Sequence, residues 1–132
     1  MATVPQEYRD LLDTRPVLVS LATVQPDGQP QVTPVWIDME GDLLRVNTVK
    51  GRQKYTNMDE RPMVTVLAID PDNAFRYIEV RGRVTNITEE GGNAHIDTLA
   101  KKYTGADVYP WHNDADTRVV VYVKPTRIFA SG

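Results

Sequence analysis

The chain contains no cysteine. Disulfides, thiolate metal sites and cysteine nucleophiles are therefore excluded. Only two histidines occur in 132 residues, and neither has the spacing to a partner that a metal site needs. No apolar run approaches the roughly 18 residues of a membrane-spanning helix. The first residues carry no basic and then apolar leader, so a cytoplasmic protein is expected. Cations are not in excess: the formal net charge is −3, which argues against a general nucleic-acid binder. Neither a Walker-type loop nor a Gly-x-Gly-x-x-Gly signature is present. Repeats, linkers and low-complexity tracts are missing as well. What remains is the composition of an ordinary globular protein, 41% hydrophobic and 25% charged, expected to form one domain over 1–132.

Against that acidic background one basic turn stands out. Lys50, Arg52 and Lys54 crowd around Gly51 where a strand gives way to a helix. Cations at a helix N-terminus oppose the macrodipole, so they run against local preference. Backbone N–H groups are unpaired at the same place. A helix start with added Lys and Arg is a site for an anion, most often a phosphate. Gly51 lets a ligand approach the backbone. The competing reading is a solvated basic turn of no further consequence.

Taken in order, the chain opens with a short helix over 5–14, with Tyr8, Leu11 and Leu12 on one face. A strand follows over 16–24. The turn Pro26-Asp27-Gly28 leads into a second strand over 31–39, paired with the first as a hairpin. Pro34 lies inside that second strand and cannot donate a ladder bond. It marks an edge, a bulge or a place where a ligand replaces pairing. A third strand covers 43–48, and a helix runs from Gly51 to about Glu60 with Tyr55 and Met58 inward. The nearly continuous apolar stretch 63–69 suits a buried strand. The longest strand is expected over 75–87, with Gly82 marking a bulge or bend. Thr88 is a candidate cap for a helix over 89–103. A polar loop, 104–116, carries Tyr109-Pro110-Trp111-His112. The last strand starts at Arg118, breaks at Pro125 and resumes over 126–130. Six or seven strands in hairpin order, with short helices between them, predict a mainly β protein built as a small barrel.

Several of these segments carry a family resemblance. Leu21-Ala22-Thr23 with the run from Pro26 to Trp36, the segment Gly51-Arg52-Gln53-Lys54-Tyr55-x-Asn57-Met58 with Arg61-Pro62, and Tyr77-Ile78-Glu79-Val80-Arg81-Gly82 are the main carriers. Tyr109-Pro110-Trp111 and the ending Arg118-Val119-Val120-Val121 with Pro125-Thr126-Arg127 add to them. In order and spacing the chain resembles the split β-barrel flavin and deazaflavin oxidoreductases related to pyridoxamine 5′-phosphate oxidase. It is most similar to the branch that uses the deazaflavin coenzyme F-420. It is much shorter than true pyridoxamine phosphate oxidases and lacks their basic C-terminal substrate-binding segment.

The resemblance implies a split β-barrel and a homodimer with cofactor sites between the chains. It implies that Arg52 and Lys54 contact the cofactor phosphate, with Gly51 and Asn57 in the same segment. Pro34, Val35 and Trp36 would lie beside the ring system, and Thr48 and Val49 near the ring and ribityl chain. Lys50 and Arg61 are candidates for the acidic tail of F-420. The implied activity is hydride transfer from the reduced deazaflavin to a small conjugated acceptor. FMN shares the ribityl-phosphate geometry and is the alternative cofactor. A carrier of a deazaflavin, heme or similar ligand is the non-catalytic alternative, and an interaction module that has lost its cofactor is a weaker one.

No catalytic constellation is evident in the residues themselves. His112 is a weak candidate for a general acid, because a histidine side chain suits that role at neutral pH and its loop could cap the partner chain's pocket. A solvent-exposed loop histidine is the plainer reading. His95, on a helix, reads as structural. Arg81 and Arg83 share a strand face with Glu79 and read as solvated ion pairs.

Overall fold

The computed structural model describes residues 2–132. A 3-10 helix, Gln6–Leu11, precedes seven strands and two α-helices. The strands are β1 (Val19–Val24), β2 (Pro30–Val35), β3 (Ile37–Glu40), β4 (Leu43–Val49), β5 (Met63–Ile69), β6 (Tyr77–Thr88) and β7 (Arg118–Ser131). Helix α1 (Gln53–Glu60) joins β4 to β5, and helix α2 (Gly92–Thr104) joins β6 to β7.

All ladders are antiparallel, in the order β2-β1-β5-β6-β7-β4-β3. The two edge strands, β2 and β3, are separated in sequence by Trp36 alone. One residue cannot span a flat seven-stranded sheet, so the sheet curls until its edges meet. The result is a split barrel, closed by the chain at Trp36 rather than by a ladder. The expected single strand over 31–39 is thus two strands, one on each side of the seam. Pro34 sits in β2 opposite Ser20. Of the three readings open to it, the edge strand holds, where its missing N–H faces the seam.

Alternation then sorts the side chains. Leu21, Val66, Val80, Val121, Val46 and Ile37 point inward and are buried. Leu11 and Leu12 from the N-terminal helix and Met58 from α1 join the same core. The Asp27 carboxylate accepts from the Gln29 amide to fix the β1–β2 turn, with Gly28 at φ 87°.

Three local expectations are corrected. The last strand is continuous, because Pro125 falls opposite Gly82 at a register shift in the β6–β7 ladder. The bulge takes up the missing donor. Gly82 is required there: a Cβ would stand 2.5 Å from Val123 Cγ1. Thr88 does not cap α2. Its hydroxyl accepts from the Glu90 amide in a local turn, and Gly91, at φ 78°, is the residue that precedes the helix. The helix at the basic turn starts at Gln53, with Gly51 at φ 95° in the turn before it.

Candidate functional site

The seam is where the barrel leaves backbone groups without ladder partners. β3 pairs with β4 only as far as Ile37 opposite Val46. Asn47, Thr48 and Val49 therefore have β7 on one side and no strand on the other. β2 is paired with β1 alone. Beside these free edges lies a cavity of about 290 Å³. Pro34, Val35, Trp36, Arg52 and Lys54 line it together with Asn47. Leu18, Ile96, Leu99, Tyr109 and Trp111 complete the wall.

One wall is aromatic. Trp36 stacks on Tyr103 with centroids 5.3 Å apart and meets Tyr109 edge-on at 6.2 Å. Tyr109 in turn meets Trp111 edge-on at 5.5 Å. Trp36 is fixed from behind. The Tyr103 hydroxyl donates to the Val17 carbonyl at 2.7 Å and accepts from the Ile37 amide at 3.1 Å. Burial pushes the Tyr103 phenol up to about 12. Such a surface suits the flat face of a conjugated ring.

Two cations line the same cavity. Arg52 precedes α1 and makes no side-chain cap, and the first turn of that helix holds no acid. Among the described residues, neither Arg52 nor Lys54 forms a side-chain hydrogen bond or ion pair. Burial, and then the neighbouring Arg52 charge, lower the Lys54 ammonium below its ordinary value. Two unpaired cations beside open helix N–H groups have the chemistry to take an anion.

The other predicted site residues are placed differently. Lys50 is bound to Glu89 and lies outside the cavity lining. Arg61 points to the hairpin, donating to the Val24 carbonyl at 2.7 Å and to Asn57 Oδ1 at 3.2 Å. Asn57 is buried; its amide donates to Thr23 Oγ1 at 3.0 Å, tying α1 to β1. Thr48 faces the barrel interior, where its hydroxyl has no hydrogen-bond partner. Val49 is buried and Gly51 is exposed in the turn, both outside the lining. His112 is likewise outside it. Its Nε2 lies 2.6 Å from Asp97 Oδ1. The Tyr109 amide, and then His112, hold the Asp97 carboxyl below the usual carboxylate range. That pairing leaves Tyr109 and Trp111, not His112, to line the cavity of their own chain.

Sequence reasoning missed Asn47 and Arg118. Both read as ordinary strand residues, and only the β4–β7 register brings them together. His95 is buried, as its structural reading requires, but in a polar setting. Its Nε2 is 3.0 Å from Asp38 Oδ1 and its Nδ1 is 3.2 Å from the Asn47 amide nitrogen. Burial pushes the Asp38 carboxyl up, but hydrogen bonds from His95 and Arg45 outweigh it and leave the group below its ordinary value. No cluster of metal-ligating side chains occurs among the described residues.

Comparisons with known proteins agree with this architecture. A structure described as an F-420 reductase is 40% identical, with a TM-score of 0.85, over 96% of this chain and 98% of that one. A conserved hypothetical protein from Mycobacterium tuberculosis is 26% identical, with a TM-score of 0.69, over 87% of this chain and 76% of that one. An FMN-binding protein from Syntrophomonas wolfei shares the fold at 16% identity, with a TM-score of 0.73, over 96% of this chain and 85% of that one. No curated protein sequence matches. The family profile described as pyridoxamine 5′-phosphate oxidase matches residues 4–132, and the chain belongs to that family.

Proposed function

We propose that this protein is an oxidoreductase that uses the reduced deazaflavin F-420 to reduce a small conjugated acceptor. The family and the similar reductase support a flavin-type or deazaflavin-type oxidoreductase. The observation that carries the finer reading is the pairing of an aromatic wall with two unpaired cations in one seam cavity. A ribityl-phosphate cofactor has a flat ring at one end and an anion at the other. The residues present fit it: Arg52, Lys54 and the start of α1 would hold the phosphate. Pro34, Val35 and Trp36 would flank the ring, and the free edges of β2 and β4 offer backbone groups to its polar rim. When bound, the reduced cofactor supplies a hydride from C5 of its ring to an activated alkene, imine or quinone. The protein's part is to position the ring and exclude water. FMN would use the same cations and is the second reading.

A second copy of the chain belongs to this proposal. Among the described residues no helix covers the outer face of β2-β1-β5-β6 and the end of β7. Leu18, Val32, Met63 and Phe129 are 63%, 62%, 63% and 56% exposed on it. Leu18 also lines the seam cavity, so a partner seated on this face would border the site.

The experiment is to follow oxidation of reduced deazaflavin by the purified protein with a panel of enones, imines and quinones. Protein-dependent oxidation with at least one of them is expected. Oxidation at the protein-free rate with all of them, despite tight cofactor binding, would favour a carrier instead.

A further inference from the structure

Beneath α2 a line of polar side chains runs from the barrel wall to the seam cavity. Arg45 holds Asp38 through two bonds, at 2.9 and 2.7 Å. Asp38 Oδ1 meets His95 Nε2, and His95 Nδ1 meets the Asn47 amide. The same amide donates to the Gly92 carbonyl at 2.9 Å. Asn47 Oδ1 accepts from Arg118 Nη1 at 3.2 Å. Arg118 Nη2 donates to the Tyr109 hydroxyl oxygen at 3.3 Å, and its guanidinium carbon lies 4.9 Å from the Tyr109 ring centroid. Asp38, His95 and Arg118 are all buried.

Every direction in this line is forced. A guanidinium only donates and a carbonyl only accepts. Arg118 and Gly92 therefore fix which end of the Asn47 amide is oxygen and which is nitrogen. The Asn47 nitrogen can only donate to His95 Nδ1, so that ring atom carries no proton. The imidazole proton must be on Nε2, where it donates to Asp38. At the far end the Tyr109 oxygen accepts from Arg118. Its own proton has no acceptor among the described residues, and Tyr109 lines the cavity.

We propose that Asp38, His95, Asn47 and Arg118 are positioning residues that aim the Tyr109 hydroxyl proton into the cavity. There it donates to a carbonyl, or a comparable acceptor atom, of the bound conjugated ligand. This rests on the proposed function, and it moves the donor role from His112 to Tyr109. The ligand is either the cofactor ring or the substrate, and binding and turnover separate the two.

The test combines one measurement on the unloaded protein with a variant series. Long-range proton–nitrogen NMR on the unloaded wild type should show His95 as the neutral Nε2–H tautomer. The Nδ1–H tautomer, or an imidazolium at neutral pH, overturns the relay. The variants are Tyr109→Phe, His95→Leu and His95→Gln. Glutamine can accept from Asn47 and donate to Asp38 as the imidazole does. Loss of one hydrogen bond predicts a fall of about fivefold to tenfold for Tyr109→Phe. His95→Leu should lose as much, and His95→Gln should recover most of it. A fall in deazaflavin affinity by fluorescence titration places the bond on the cofactor. Unchanged affinity with lower kcat/KM for the acceptor places it on the substrate. If Tyr109→Phe changes neither, Tyr109 is not the donor. If His95→Leu and His95→Gln behave alike, His95 does not act through Asn47. Wild-type protein that binds no cofactor sinks the proposed function and the donor role with it. The tautomer result would still decide the geometry of the relay.

Discussion

Lys54 sits half-buried beside Arg52, and among the described residues neither is paired with a carboxylate. Two like charges in one turn at a helix N-terminus cost stability, a cost that a bound anion would offset. The basic turn was legible in the sequence because it broke a local rule. Which of its cations stay free was not, since that depends on partners distant in the chain. Glu89 takes Lys50 and the Val24 carbonyl takes Arg61. Lys102 shows the opposite case, a cation satisfied by backbone alone. Its ammonium donates to the Leu12 and Ile37 carbonyls and lies 5.0 Å from the Tyr103 ring centroid. Burial lowers it from 10.5 to about 8. A base with a depressed folded value binds fewer protons folded than unfolded between those limits. Its contribution is therefore present above 10.5 and is lost as pH falls through about 8. Stability to urea should rise from pH 8 towards 10 and flatten in Lys102→Met. Above 10 the buried Tyr103 opposes the trend, because its raised value costs stability as pH climbs towards 12. An equal slope in the variant would remove Lys102 as its source.

At the scale of elements, the sequence conveyed strand content and the hairpin order well. Turn residues and alternation are local signals, and Pro26-Asp27-Gly28 and the 63–69 run spoke clearly. It misjudged 31–39 because both flanks of Trp36 read as extended strand. Nothing local says that the chain crosses from one sheet edge to the other there. Pro125 misled for a related reason: the bulge that tolerates it is set by Gly82 on another strand. On helix propensity alone, Gly92 weakens the first turn of α2. Instead Gly92 permits the helix to rest on β7, since a Cβ there would stand 2.2 Å from the Arg118 carbonyl oxygen. Gly92→Ala should cost about 1–3 kcal/mol by overpacking, read from the shift of the urea midpoint. Wild-type stability in that variant would mean that α2 is not held by this contact.

For the whole molecule, closure at Trp36 explains why the candidate site lies beside the seam. Curling the sheet joins its edges covalently but leaves them unladdered over 47–49, and the cavity lies beside that gap. The exposed apolar face next to it gives the oligomer prediction. Sedimentation should show a dimer that Met63→Lys with Phe129→Lys shifts towards monomer. A wild-type monomer at high concentration would leave that face without its proposed occupant. The free cations, the aromatic wall and the family converge on a cofactor with a ring and an anion. Fluorescence titration of wild-type protein and of Arg52→Ala with Lys54→Ala, using deazaflavin F-420 and FMN in parallel, tests that most directly. Micromolar or tighter deazaflavin binding, weaker FMN binding and at least a tenfold loss of affinity in the double variant are expected, from charge-assisted bonds of about 1.5–3 kcal/mol each. Equal affinity in the double variant, or wild-type protein that binds neither cofactor, would contradict it.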